Sequence, residues 1–279
     1  MAHVTILVDN NSLIDRYFRS EPALSLWVQG RKAPVLLDTG YSDAFLQNAL
    51  KLGLDPVSLS HVVLSHGHFD HTWGLADLVR HYTERAIEQK ESARPRIVAH
   101  PLCLENKIIG SIGSVGAMFD RGTLERFFPV TLTEEPLWLA EDLVFLGEIP
   151  ARYGFEMPAR YNVRESAGGP VPDTLTDDSG LALLTGEGLV VVTGCAHRGI
   201  CSTIQRAIDV TGQKRVRTVI GGFHLLEASD KRLEETGRFM KERNIPEIYP
   251  CHCVDGDARR ALARWVPVRD TGSGQQILL

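Results

Sequence analysis

The sequence predicts a mixed α/β fold, and three observations carry that prediction. Short apolar runs that read as buried strands, such as Val62-Val63-Leu64, Ile97-Val98-Ala99 and Val190-Val191-Val192, recur in both halves of the chain. Several of these runs lead into a short segment of small or polar residues. Apolar residues at helical spacing then follow, as with Leu75, Leu78, Val79, Tyr82 and Ala86. Strands that alternate with helices in this way build a sheet covered by helices.

Taken in order, Val4 to Val8, Leu24 to Val28 and Pro34 to Leu37 read as strands, the last ending at Asp38-Thr39-Gly40. Leu46, Ala49 and Leu50 give helical periodicity before the strand Val62 to Leu64. A helix beginning near Thr72 follows, and Ile97 to Ala99 returns the chain to the sheet. The stretch 101–180, with Gly110, Gly113, Gly116 and Gly122 and then Pro150, Pro158, Gly168, Gly169, Pro170 and Pro172, reads as a loop-rich insertion that serves as a lid. Leu181 to Leu184, the turn Thr185-Gly186-Glu187-Gly188 and Leu189 to Thr193 form a hairpin. Three helices follow, marked by Ile200, Ile204, Ala207 and Ile208, by Leu233, Gly237 and Met240, and by Ala258, Ala261, Leu262, Trp265 and Val266. Strands near Thr218 to Ile220 and Glu247 to Tyr249 separate them. The expected organisation is one domain over residues 1–279.

At 279 residues and 43% hydrophobic content the chain has ample material for a large core. Thirty basic residues against 35 acidic ones give a formal charge of -5, so no general electrostatic drive toward nucleic acid or an anionic membrane is expected. An anionic substrate would have to be held locally. Met1 to Asn10 lacks a basic segment followed by a long apolar stretch, and five cysteines is an odd count in a chain too long to need disulfide staples. A cytoplasmic protein with reduced thiols is the expectation.

The run Ser65-His66-Gly67-His68-Phe69-Asp70-His71 concentrates three of the ten histidines and a carboxylate in six positions. In an extended segment His66 and His68 point the same way and can reach one ion, while a turn after Phe69 aims Asp70 and His71 at a second. Two divalent ions are implied. Three later histidines, His197, His224 and His252, each follow an apolar run at a strand end, where α/β folds collect functional groups.

The His-x-His-x-Asp-His motif at the end of a strand resembles the signature of the metallo-β-lactamase superfamily. The segments Gly194 to Ile200, Gly221 to Leu225 and Pro250 to Cys253 resemble one branch of it, the proteins grouped with the dihydropterin-ribofuranosylaminobenzene 5'-phosphate synthase of methanopterin biosynthesis. The resemblance implies a four-layer αββα sandwich, with two stacked sheets and helices outside. It also implies that His197 completes the site of His66 and His68, and that His252 joins Asp70 and His71. Asp38 would support the metal loop, a simple turn residue being the plainer reading. His224 is either a substrate or supporting group or a structural histidine. Cys195 stands where many members of the superfamily carry a bridging Asp, and Asp177 or Asp178 is a candidate for the missing carboxylate unless both belong to a solvated turn. Cys251 and Cys253, alternating with His252, are expected to face away from the metals as packing residues.

A metal pair generates a nucleophile from water at neutral pH and polarises a phosphoryl or acyl oxygen, so no Ser or Cys nucleophile is required. Asp70 is then the candidate for orienting the attacking water. Arg198, at a helix start, would hold a phosphate with the free N–H groups there, against the plainer reading of an exposed arginine. His100, after Ile97-Val98-Ala99, is a candidate substrate-facing residue, a core histidine being the alternative. Zinc is favoured because imidazoles dominate the donor set, although iron or manganese also suits mixed His and Asp sites. The reading is a dinuclear metal-dependent hydrolase acting on a small, phosphorylated molecule; by resemblance, a synthase-like reaction with diphosphate loss is the specific possibility. A metal-containing ligand-binding or sensing protein is the competing class.

Overall fold

The buried runs are apolar at every position because both of their faces are covered. Val190 and Val192 point into one core and Leu189 and Val191 into another; Val35 and Leu37 part from Leu36 in the same way, as Val98 does from Ile97 and Ala99. The core shared by Val35, Leu37, Val63, Val98, Val190 and Val192 lies between two sheets. Of the other two cores, one packs Leu36, Val62 and Ile97 against Phe45, Leu75, Leu78 and Tyr82, and the other packs Val191 and Val219 against Ile200, Ile204, Leu233 and Leu262. Helix, sheet, sheet, helix is the layer order, the αββα sandwich expected above.

The structure is a computed structural model describing residues 2–90, 92–110, 112–156, 163–166 and 168–279. Met1 and Pro158, both used in the reading of the sequence, lie outside those residues. The first sheet has seven strands in the order Gln276–Leu278, His3–Val8, Ser25–Gln29, Val35–Leu37, His61–Val63, Arg96–Ala99 and Val130–Leu132. The second has six, in the order Ile248–Cys251, Val216–Gly222, Gly188–Thr193, Gly180–Thr185, Leu143–Phe145 and Leu137–Ala140. The expected hairpin is antiparallel, pairing Gly180 with Thr193 and Thr185 with Gly188. From Val35–Leu37 through Val130–Leu132, neighbouring strands of the first sheet are parallel, as are Gly188–Thr193, Val216–Gly222 and Ile248–Cys251 in the second.

The stretch 101–180 contains more regular structure than its composition indicates. Val130–Leu132 extends the first sheet, Leu137–Ala140 and Leu143–Phe145 extend the second, and Lys107–Ile109, Gly113–Ser114, Val163–Ser166 and Gly169–Pro172 make a third, four-stranded sheet. Strands of two to four residues are too short for a period of two to stand out against the surrounding Gly and Pro. Among the described residues no helix is long and apolar enough to cross a membrane.

Candidate metal centre

The parallel strands of both sheets deliver their carboxyl-terminal ends to one edge of the sandwich. Val35–Leu37 runs into Asp38, His61–Val63 into Ser65 and His66, Gly188–Thr193 into Cys195 and His197, Val216–Gly222 into His224, and Ile248–Cys251 into His252. At Asp38, Ala196, His224 and His252 the backbone turns left-handed, with φ of 59°, 55°, 48° and 53°. Non-glycine residues adopt that conformation at a cost of about 1–3 kcal/mol each, which the surrounding contacts must offset. The loops of the two sheets touch at Gly194, where a Cβ would lie 1.9 Å from Ser65 Oγ. No other residue fits there without moving the Ser65 loop.

Three imidazoles from the two halves converge. His66 Nε2 lies 3.0 Å from His68 Nδ1 and 3.2 Å from His197 Nε2. A tetrahedral ion with bonds of about 2.0–2.1 Å sets its nitrogen ligands about 3.3 Å apart, so this spacing fits metal ligation. The protons point the same way. Ser65 Oγ donates to Asp38 Oδ2 at 2.7 Å, so it accepts from His66 Nδ1–H at 2.9 Å and leaves Nε2 as a lone pair aimed inward. Burial holds His66 and His197 well below the ordinary histidine pKa and takes His68 down to about 4, which keeps all three in the neutral form that binds metals.

Beside them, Asp70 Oδ2 lies 3.2 Å from His252 Nε2 and 3.9 Å from His71 Nε2. His71 donates through Nδ1 to Asp38 Oδ2 at 2.7 Å, and His252 through Nδ1 to Asn10 Oδ1 at 2.9 Å, so both direct Nε2 toward the cluster. Burial lowers the His71 pKa, but Asp38 and Asp70 outweigh it and hold it up at about 9. Burial raises the Asp70 carboxyl, yet His71, His252 and His68 bring it well below the carboxylate range. Carboxylates so placed demand positive charge at this point. Asp38 thus orients a donor of each group, directly through His71 and through Ser65 to His66. Asp38→Asn is expected to weaken metal binding about 10- to 100-fold, measured by competition with a chelator; unchanged affinity would deny it that role.

Cys195 lies between the groups. Its Sγ is 3.2 Å from His71 Nε2, and it falls within 4.8 Å of donor atoms in three sets: with His66 and His71, with His197 and His224, and with His252 and Cys253. Cys251 faces the core between the sheets as expected, but Cys253 does not face away. The left-handed turn at His252 breaks the strand alternation and brings Cys253 Sγ beside Cys195, where it accepts the His224 N–H at 3.1 Å.

Other candidates are engaged in the scaffold. Arg198 is tied to the scaffold through part of its guanidinium: its Nε donates to Ile149 O at 3.1 Å and its Nη1 to Thr174 O at 3.2 Å. The helix start it borders already holds an anion, because Glu156 accepts from Cys201 N at 2.6 Å and from Ser202 N at 3.0 Å. Asp177 and Asp178 are buried rather than in a solvated turn. Asp178 accepts the Arg198 N–H at 2.9 Å, and Asp177 accepts the Gly67 N–H at 2.8 Å and pairs with Lys107 at 3.0 Å, so they brace the ligand loops. His100 is buried and accepts the Leu102 N–H at 3.1 Å, capping the turn Pro101–Leu104. Reading the sequence missed Asp9, Asn10, Ser65, Lys107 and Glu156. Only Ser65 carried a local signal, its place directly before the His-x-His motif.

The chain belongs to the metallo-beta-lactamase superfamily, whose profile it matches over residues 20–252. Among characterised relatives it is 30% identical over 254 residues to the 7,8-dihydropterin-6-methyl-4-(beta-D-ribofuranosyl)-aminobenzene-5'-phosphate synthase of Methanocaldococcus jannaschii, covering 85% of this chain and 82% of that protein. An uncharacterised protein of the same organism is 26% identical over 263 residues, 94% of each chain. A solved structure described as a metal-dependent hydrolase of the beta-lactamase superfamily superposes with a TM-score of 0.85 at 29% identity, covering 100% of this chain and 99% of the other.

Proposed function

We propose that this chain is a dinuclear metal-dependent hydrolase acting on a small, phosphorylated molecule in the cytoplasm, built as one domain over residues 1–279. The observation that carries it is the pair of neighbouring donor groups, His66, His68 and His197 beside Asp70, His71 and His252, contributed by both sheets. Two divalent ions, zinc by the predominance of imidazole, would lower the pKa of a water molecule and polarise a phosphoryl oxygen. In this reading Asp70 is both a ligand and the acceptor that orients the attacking water. Asp38, Asn10 and Ser65 hold the imidazoles in the tautomers that ligate, Cys195 borders both groups, and His224 lies beside His197. A synthase-like transfer with diphosphate loss is a second reading, favoured by the similarity to the methanopterin-pathway protein.

Metal analysis of the purified chain is expected to give about two transition ions per chain. Chelation should abolish turnover in a screen of phosphomonoesters, phosphodiesters, lactones and thioesters, and zinc, iron or manganese should restore it. Full metal occupancy with no turnover on any of these would defeat the hydrolase reading and favour a ligand-binding role.

A further inference from the structure

The helix start at Arg198 is closed to a substrate anion, yet an unanswered cation lies close by. Arg232 stands on the first turn of the helix Asp230–Glu242, in the segment that follows His224. Its Nε and Nη2 atoms are buried and have no hydrogen-bond partner. These two nitrogens form one edge of the guanidinium, the edge that grips a carboxylate or phosphate through two parallel hydrogen bonds.

A buried donor pair of this kind costs stability unless something accepts from it. Glu156, the acid whose charge Arg232 feels most, is already used: Oε1 takes the Cys201 N–H, and Oε2 takes the Ser202 N–H and hydroxyl at 3.0 and 2.8 Å. Arg232 also feels Cys253, which accepts the His224 N–H and lies within 4.8 Å of the Cys195 and His252 donor atoms. The fork therefore lies in the helix layer over the second sheet, where Asp230–Glu242 packs against the helix Ile200–Thr211 and the turn Gly154–Glu156. It offers two aligned donors with no protein acceptor.

We infer that the Nε–Nη2 edge of Arg232 binds an oxyanion, phosphoryl or carboxylate. That the anion belongs to the substrate rests on the proposed function; the anion site itself does not. The test is isothermal titration of the metal-loaded chain with inorganic phosphate and, separately, with acetate, in the wild type and in Arg232→Met and Arg232→Lys.

At least one anion is expected to bind the wild type, with affinity reduced roughly tenfold or more in Arg232→Met. The same anion should raise the melting temperature of the wild type and leave that of Arg232→Met unchanged. Phosphate dependence identifies a phosphoryl group, acetate dependence a carboxylate. Should Arg232→Met fail to fold, Arg232→Lys serves, because loss of the flat fork alone is expected to weaken binding. Equal affinities in wild type and variants, or no binding of either anion, would overturn the inference. Arg232-dependent binding in a chain that hydrolyses nothing would leave the anion site standing and remove the hydrolase instead.

Discussion

His68→Ala is expected to abolish turnover, by about a thousandfold or more, while leaving the protein folded. The two halves of that result have separate structural causes. His68 contributes its ring nitrogen to the first trio, 3.0 Å from His66 Nε2, so under the proposed function alanine removes a ligand and metal content should fall toward about one ion per chain. Its local structural work is done by the main chain: the His68 carbonyl accepts from His71 N at 3.1 Å and from Thr72 Oγ1 at 2.9 Å, and alanine keeps both. Circular dichroism and the melting temperature of the metal-free protein should therefore stay close to the wild type. Wild-type turnover with both ions bound would remove His68 from the centre.

Lys107→Met is expected to have the largest effect on stability. Lys107 is fully buried, pairs with Asp177 at 3.0 Å, lies 3.9 Å from Asp173 and donates to Leu102 O at 3.2 Å. Removing the ammonium strands buried carboxylates, which costs about 3–5 kcal/mol and lowers the melting temperature on the order of 10 °C. The pH dependence gives a further check. Burial pushes the Asp177 carboxyl up, but Lys107, together with His68 and the Gly67 N–H, more than offsets it and holds the group below its ordinary pKa. The stability contributed by Asp177 is thus present above the ordinary carboxylate range and lost as pH falls through the lowered value. Without Lys107 the sign reverses: burial leaves the carboxyl raised, the native state takes up protons first, and the deficit is largest at neutral pH and shrinks on acidification. Asp177→Asn added to Lys107→Met should recover part of the loss. A single variant that melts with the wild type at pH 7 would show that the pair contributes nothing.

What the sequence revealed, and what it concealed, follows from the range of each interaction. The strand ends bearing His66, His197, His224 and His252 were legible because strand, small-residue turn and helix leave a local pattern. The layering was not: Val190-Val191-Val192 reads the same whichever partner covers each face, and the resemblance to a known family supplied the second sheet. Cys253 was misplaced because alternation holds only while the backbone stays extended, and His252 is left-handed. The carboxylate that occupies the helix start at Arg198 was hidden because it comes from Glu156, far away in the chain and unmarked by any motif. Nothing in Lys107-Ile108-Ile109 marks the lysine as buried, and only the tertiary fold sets it against Asp177.

The strands His3–Val8 and Gln276–Leu278 lie next to the His252 loop. Gln276–Leu278 pairs with His3–Val8, Ser273 Oγ accepts the Asp9 N–H at 3.0 Å, and Asp9 Oδ1 in turn accepts the His252 N–H at 2.7 Å. The segment 273–278 therefore acts as a latch on the His252 loop, so removing the residues after Asp270 would slacken His252 without altering any side chain of the proposed centre. Affinity handles belong where they leave that latch closed.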